Sequence, residues 1–195
     1  MREARGKTSK NTAELGNLRI IGGQWRGRKL QFPVVNGLRP TGDRIRETLF
    51  NWLAPEIEGA TCLDLYAGSG ALGLEALSRG AASCTFIEND RQAANAIRNH
   101  LHTLQCSSGS VVELSALDWL RASNTHFDIV FLDPPFSANL YQPSMHYIEQ
   151  GSLLNPGGKL YIEFDVKRPP ESPTTLTLLR DKKAGNTAYQ LWCTD

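Results

Sequence analysis

The segment Asp64-Leu65-Tyr66-Ala67-Gly68-Ser69-Gly70-Ala71-Leu72-Gly73 sets three glycines at G-x-G-x-x-G spacing, and Glu88 follows Gly68 by 20 residues. A loop of this kind, running from a strand into a helix, turns backbone amides toward a ligand, and an acid at that distance can hold ribose hydroxyls. Ala67, Gly68, Ser69, Gly70 and Glu88 are therefore candidate cofactor contacts. They suit a dinucleotide as well as they suit S-adenosylmethionine, and Asp64 separates the two. A carboxylate four residues before the first glycine adds negative charge where a pyrophosphate would gather at the helix N-terminus, whereas a sulfonium and an ammonium are both cations that it attracts. Asp118, in Ser115-Ala116-Leu117-Asp118, is placed to accept from an adenine amino group, and a helix cap explains it nearly as well.

A second cluster is Asp133-Pro134-Pro135-Phe136, directly after the apolar run Phe127 to Leu132. Two prolines without amide hydrogens make a stiff, extended turn whose carbonyls lack ladder partners. The Asp133 carboxylate and the Pro134 carbonyl can accept both hydrogens of an exocyclic amino group, and Phe136 offers a stacking face to a base drawn out of its helix. Asp133, Pro134 and Phe136 are the candidate catalytic residues. His100, His102, His126 and His146 stand beside no acid or cysteine at ligand spacing, so no metal is expected. Glu163 could reach the same site, and Trp25 could stack on RNA or pack inward.

The elements that must position these groups are legible in outline. At 195 residues, 41% hydrophobic and 21% charged, the chain has the size and composition of one globular domain. No apolar run approaches the ~18 residues of a membrane helix, and Met1 to Lys10 lacks the apolar region of a signal peptide; a cytoplasmic, membrane-free protein is expected. Cys62, Cys84, Cys106 and Cys193 are too widely spaced for a metal motif and read as reduced thiols. The net charge of +1 hides a division: residues 1–50 carry 11 Lys and Arg against four acids and the remainder 10 against 16, so the halves stand at +7 and −6. The basic half points to an anionic partner.

Residues 1–17 read as a flexible basic tail. Residues 18–56 read as a small extension, a hairpin from Leu18 to Ile21 and Gly27 to Phe32 followed by a helix that Thr41 can cap, with Ile45, Leu49, Trp52 and Leu53 at helical spacing up to about Pro55. Residues 57–195 alternate short apolar runs with amphipathic stretches, the pattern of a parallel α/β sheet. Strands are expected at Thr61 to Tyr66, Cys84 to Glu88, Ser110 to Leu114, Asp128 to Leu132 and Lys159 to Phe164, and helices at Ala71 to Ser78, Arg91 to Leu104, Ala116 to Arg121 and Asn139 to Gly151. Thr174 to Leu179 and Thr187 to Cys193, joined through Gly185-Asn186, must pair as an antiparallel hairpin. The expected fold is a seven-stranded, mostly parallel α/β sheet closed by that hairpin. Its site lies at the carboxyl ends of the strands. Arg26, Arg28, Lys29, Arg39 and Arg44, with Arg19 and Arg46, make the candidate phosphate-binding surface.

The ordered set Asp64, Gly68-Ser69-Gly70, Glu88, Asp118 and Asp133-Pro134-Pro135-Phe136 resembles the class I S-adenosylmethionine-dependent methyltransferases (Rossmann-like) that modify exocyclic amines. More narrowly, Ile21-Gly22-Gly23, Arg26-Gly27-Arg28-Lys29-Leu30, Arg39-Pro40-Thr41, Asp43-Arg44 and Arg46-Glu47-Thr48-Leu49-Phe50-Asn51 resemble the RsmD family of bacterial 16S ribosomal RNA guanine-N2 methyltransferases. Gly42 and Tyr66 depart from that pattern, at positions expected to carry threonine and phenylalanine. The resemblance implies S-adenosylmethionine as cofactor, Thr41 among its contacts, and methyl transfer to one guanine N2 of 16S rRNA in an assembled or assembling small ribosomal subunit, by an enzyme expected to be a monomer. The residues by themselves leave guanine N2 and adenine N6 equally open. They also leave two further classes to be weighed, a nicotinamide oxidoreductase, disfavoured by Asp64, and a non-catalytic RNA-binding module, disfavoured by the intact Asp133 turn.

Overall fold

The computed structural model describes residues 15–33, 42–135, 139–150 and 153–195. Strands β1 (Leu15–Arg19) and β2 (Lys29–Pro33) pair antiparallel, with Leu18 opposite Leu30. The two-residue period buries Leu18, Ile20, Leu30 and Phe32 and leaves Arg19, Lys29 and Gln31 exposed. Pairing reaches back to Leu15, so the strand takes in residues expected to belong to the tail. Leu15–Asn17 has no apolar period, but its backbone completes the ladder with Gln31–Pro33, and Gly16 lies against the Phe32 ring where a Cβ would collide.

Helix α1 (Asp43–Trp52) is capped by the backbone of Gly42 with no side-chain cap bond; Thr41, the expected cap, lies outside the described residues. Then follow β3 (Thr61–Asp64), α2 (Ala71–Ser78), β4 (Ser83–Glu88), α3 (Arg91–Thr103), β5 (Gly109–Glu113), α4 (Ala116–Ala122), β6 (Phe127–Leu132), α5 (Tyr141–Gln150), β7 (Leu154–Asp165), β8 (Thr177–Ala184) and β9 (Thr187–Cys193). Strands β3 to β9 form one seven-stranded sheet in the order β5-β4-β3-β6-β7-β9-β8, parallel except that β9 runs antiparallel to both of its neighbours. This is the expected mostly parallel sheet with its antiparallel hairpin.

Two of the expected strand positions move. β7 starts at Leu154, five residues before Lys159, because Leu154 pairs with Phe127 and the Asn155 amide donates to Asp128 at 2.7 Å, carrying an irregular proline-glycine stretch into the ladder. β8 runs from Thr177 to Ala184 rather than Thr174 to Leu179. It is the exposed edge strand, so it has no buried face to print an alternation on its sequence.

The sheet is covered on both faces. On one side Leu49 and Phe50 of α1 with Leu53 just after it, the apolar residues of α2, Ile97 and Leu101 of α3 and the hairpin's Leu18, Ile20, Leu30 and Phe32 form a single core with Cys62, Phe86, Phe131 and Tyr161. On the other, Leu120, Met145 and Ile148 of α4 and α5 pack on Leu63, Val130 and Ile162. Every residue of α2 is buried. Gly73 allows this, since a Cβ there would strike the Phe86 ring and the Cys84 sulfur.

Candidate active site

The strand order reverses direction between β3 and β6, which opens a crevice at their carboxyl ends. Alternation decides what faces it. On β3, Cys62 belongs to the α2-side core and Leu63 to the other, so Asp64 returns to the α2 side; on β4, Phe86 and Glu88 share that side, and on β7, Tyr161 and Glu163 do. Three acids from three strands thus converge on one end of one face. Asp133, next after the last residue of β6, joins them: its charge acts on both Asp64 and Tyr161.

Asp64 is buried, and its Oδ2 accepts from the Gly73 amide at 2.9 Å. Burial pushes its pKa up to about 7; the Gly73 amide opposes this, and the charges of Asp133 and Glu88 add to it. Glu88 accepts from the Gly68 amide at 2.7 Å through one oxygen and from the Asp90 amide at 2.7 Å through the other. Burial raises its pKa, held back by those amides. Each carboxylate oxygen retains a second acceptor site. Between the two acids, Gly70 caps α2 in the left-handed region at φ 77°, which glycine adopts without a Cβ penalty. The Ser69 hydroxyl beside it is buried with no partner among the described residues. A buried orphan hydroxyl, a helix N-terminus and two carboxylates suit a ligand carrying hydroxyls and positive charge, and so fit S-adenosylmethionine.

Asp118 sits on the same edge of the sheet, in the first turn of α4. Ser115 Oγ donates to its carboxylate at 2.6 Å and accepts from its amide at 3.2 Å, and Arg121 pairs with it at 3.0 Å. These are the contacts of a helix cap, the alternative the sequence left open. Ala67 and Pro134 are buried and Asp133 is half-buried, while Phe136, Thr41 and Arg39 lie outside the described residues. Glu163 accepts from the Tyr161 hydroxyl at 2.8 Å in the interior. Tyr66, right after β3, has its hydroxyl 2.7 Å from Ser144 Oγ, and Ser144 itself donates to the Leu140 carbonyl at 2.8 Å. Since Ser144 spends its hydrogen on Leu140, Tyr66 is the donor, and the glycine loop is tied to α5, the helix that follows the Asp133 turn.

Arg19, Arg26, Arg28, Lys29 and Arg44 are exposed. Arg46 is not: it is 1% exposed, donates to the Arg19 carbonyl at 2.8 Å and to Asp43 at 2.6 Å, and lies 3.6 Å from Glu75. It therefore leaves the expected phosphate surface, because α1 packs that side of the helix on α2. Trp25 is half-buried and packs on the hairpin's core.

The sequence reading passed over Glu75 and Ser78, which join the hairpin to α2. The Glu75 carboxylate accepts from the Ile21 amide at 2.8 Å, the Gly22 amide at 2.7 Å and Arg79 Nε at 2.7 Å. Ser78 closes the helix C-terminus: its carbonyl accepts from the Gln24 amide at 2.7 Å, and its hydroxyl accepts from the Trp25 amide at 3.0 Å and donates to the Gly22 carbonyl at 2.6 Å. The signal was present, since Glu75 is the one charge in the apolar helix Ala71-Leu72-Gly73-Leu74-Glu75-Ala76-Leu77-Ser78, and a buried charge demands partners.

The sheet order with its antiparallel β9, and a glycine loop and acidic crevice at the switch point, define the class I methyltransferase fold. At the level of fold alone, this chain matches the Thermus thermophilus 16S rRNA N2 G1207 methyltransferase structure in complex with AdoMet and guanosine, with a TM-score of 0.67 and 19% identity over 93% of this chain and 50% of that one. Residues 18–193 match the family described as Conserved hypothetical protein 95. The Escherichia coli K12 ribosomal RNA small subunit methyltransferase D is 48% identical over 93% of this chain and 92% of its own length, and the Haemophilus influenzae protein of the same name 48% over 91% and 94%. The solved Escherichia coli protein yhhF superposes with a TM-score of 0.85 at 49% identity, covering 92% of this chain and 99% of that one. The chain belongs to the ribosomal RNA small subunit methyltransferase D family.

Proposed function

We propose that this protein transfers a methyl group from S-adenosylmethionine to the exocyclic N2 of one guanine in 16S ribosomal RNA, working as a cytoplasmic monomer on an assembled or assembling small subunit. The observation that supports this reading is that Asp64 and Asp133 lie at the ends of the paired strands β3 and β6, close enough for the charge of Asp133 to act on Asp64; Asp64 is read as the holder of the cofactor's cation and the Asp133-Pro134 turn as the acceptor of the amine.

The roles follow from the chemistry of each group. Asp64 takes the cofactor's ammonium, the Ala67 to Gly70 loop and Ser69 line its amino-acid end, Glu88 accepts from the ribose hydroxyls and Asp118 stands toward the adenine side. When bound, S-adenosylmethionine supplies an electrophilic methyl on a positively charged sulfur. Asp133 and the Pro134 carbonyl accept the two amine hydrogens, which fixes the nitrogen and directs its electron density outward; this is orientation rather than strong base catalysis. The sequence assigns Phe136, next in Asp133-Pro134-Pro135-Phe136, the stacking face for the base. Arg26, Arg28, Lys29, Arg39 and Arg44 hold phosphates, consistent with the +7 charge of residues 1–50.

The deciding experiment is mass spectrometry of small-subunit RNA from cells lacking the gene. Loss of a single N2-methylguanosine, restored by the wild-type gene and not by Asp133→Ala, is expected. Unchanged N2-methylguanosine, or loss of an N6-methyladenosine instead, would overturn the guanine assignment.

A further inference from the structure

Beside the hairpin, an open groove of about 560 Å³ runs between β2 and α3. Its walls are Lys29 and Gln31 from the strand and Gln92, Asn95, Asn99 and His100 from the helix, completed by small and apolar residues and one threonine, with no carboxylate among them. The volume falls within the range of small-ligand sites, and the lining is unusual for one: it is amide-rich, not apolar.

The polar groups of the groove are available. The side-chain amides of Gln31, Gln92 and Asn99 make no hydrogen bond among the described residues and are exposed. Asn95 accepts from Arg98 at 2.8 Å, which turns its amide and leaves the NH2 end as a donor. His100 is buried, with Nε2 2.9 Å from the Gln31 carbonyl. A carbonyl only accepts, so Nε2 carries the hydrogen and Nδ1 is a bare acceptor, buried and without a partner among the described residues. Burial lowers the His100 pKa, in keeping with a neutral ring. Both walls thus offer paired donors and acceptors, with Lys29 as a cation at the strand side.

The groove also has a direction. Helix α3 starts three residues after Glu88, and Asp90, its N-cap, donates its amide to the Glu88 carboxylate. The groove's Gln92 end therefore lies next to the cofactor crevice, and from there to Thr103 the helix extends roughly 16 Å. This is the length of a few nucleotides, not of a lone metabolite.

We propose that the β2–α3 groove binds a single-stranded stretch of the RNA substrate flanking the target nucleotide, with Gln92, Asn95 and Asn99 meeting base edges and Lys29 a phosphate. Amide side chains pair with base edges through matched donors and acceptors, and single strands are the form of RNA that exposes those edges. A protein partner would seek an apolar anchor, and of the apolar members of this lining Leu30 and Ala96 are buried beneath it, leaving the half-buried ring of Pro33 as a small apolar surface. The proposal rests on the RNA substrate assigned above.

The test uses the full-length enzyme with 16S rRNA and with small subunits lacking the modification. Asn95→Ala/Asn99→Ala removes two amides from exposed helix positions without adding charge, and Asn95→Asp/Asn99→Asp opposes phosphates at the same size. The alanine pair should raise KM for RNA roughly tenfold and the aspartate pair more, with S-adenosylmethionine affinity unchanged by calorimetry. Ultraviolet crosslinking of the wild-type complex should join RNA to the 92–103 peptide. Unchanged KM in both variants together with no crosslink in that peptide overturns the groove while leaving methyl transfer intact. So does a raised KM for subunits in these variants when the 92–103 peptide crosslinks to a ribosomal protein and not to RNA, which would assign the groove to that protein. Failure of the wild-type enzyme to methylate either substrate would count against the assigned function instead.

Discussion

The Gly73 amide donates to Asp64 across 2.9 Å, joining the strand that ends at the cofactor crevice to the first turn of the helix that starts there. This bond and burial act oppositely on Asp64, and burial prevails, raising its pKa to about 7. A carboxyl near neutrality binds a cationic ligand only after losing its proton. S-adenosylmethionine affinity should therefore increase between pH 6 and pH 8, with proton release detectable as a buffer-dependent heat at the lower end. The apo protein should show the reverse trend: the folded pKa lies above the unfolded one, so the folded state holds the extra proton between about pH 4 and pH 7 and stability declines as pH rises through that window. Asp64→Asn should flatten both profiles and weaken cofactor binding while raising the melting temperature at pH 8. A wild-type affinity independent of pH would remove the role given to Asp64.

In the proposed function Asp133 is assigned to the amine rather than to the cofactor's sugar. Asp133→Ala should leave S-adenosylmethionine affinity within about threefold and lower kcat by roughly 100-fold or more, as expected when orientation of the reacting nitrogen is lost. Parallel loss of both, by calorimetry and single-turnover assay, would place Asp133 among the cofactor ligands.

Arg26, Arg28 and Lys29 are exposed and form no ion pair among the described residues, as phosphate contacts require. Each that meets a phosphate should contribute about 0.7–0.9 to the slope of log affinity against log salt. The triple alanine variant should bind RNA more weakly with a shallower slope, and bind S-adenosylmethionine as before. An unchanged slope in filter binding would show these charges to face only solvent.

Glu75 serves Arg46, Arg79 and two hairpin amides at once. Glu75→Ala takes a buried carboxylate from Arg46 and Arg79 and the acceptor from two hairpin amides; Arg46 keeps Asp43, and the loss should still cost about 3–5 kcal/mol in denaturant unfolding, the scale of breaking a buried charge network. Glu75→Gln, which keeps an acceptor, should cost less. Equal stability of wild type and Glu75→Ala would mean that the network contributes nothing net.

What could be read from the sequence followed the strength of its periodicity. Helix α2 is at its expected limits, and α3 within a residue, because glycine, aspartate and an apolar period mark them. The acids of the crevice were found because parallel strands end in loops whose residue types are dictated by a ligand rather than by packing. Arg46 and Glu75 escaped because each helix was read by itself, with arginine taken as surface on α1 and the lone glutamate of α2 passed over; only the approach of the two helices makes them partners. β8 was expected, as half of the hairpin, but placed too early, because an edge strand with both faces exposed carries no alternation to fix its ends. Asp118 shows the converse: its residue type fitted two roles, and the capping contacts account for its geometry.

The hairpin is held to α2 through peptide groups. Glu75 and Ser78 grip the amides of Ile21, Gly22, Gln24 and Trp25, and none of these bonds depends on which side chains the hairpin carries, provided that its glycine bend can approach the helix end. The outward-facing residues can therefore drift, or be exchanged wholesale, without loosening the attachment. In evolutionary terms the arrangement is modular: a catalytic body with a standard socket, into which a hairpin of different specificity could be grafted while the chemistry a helix-length away stays as it is.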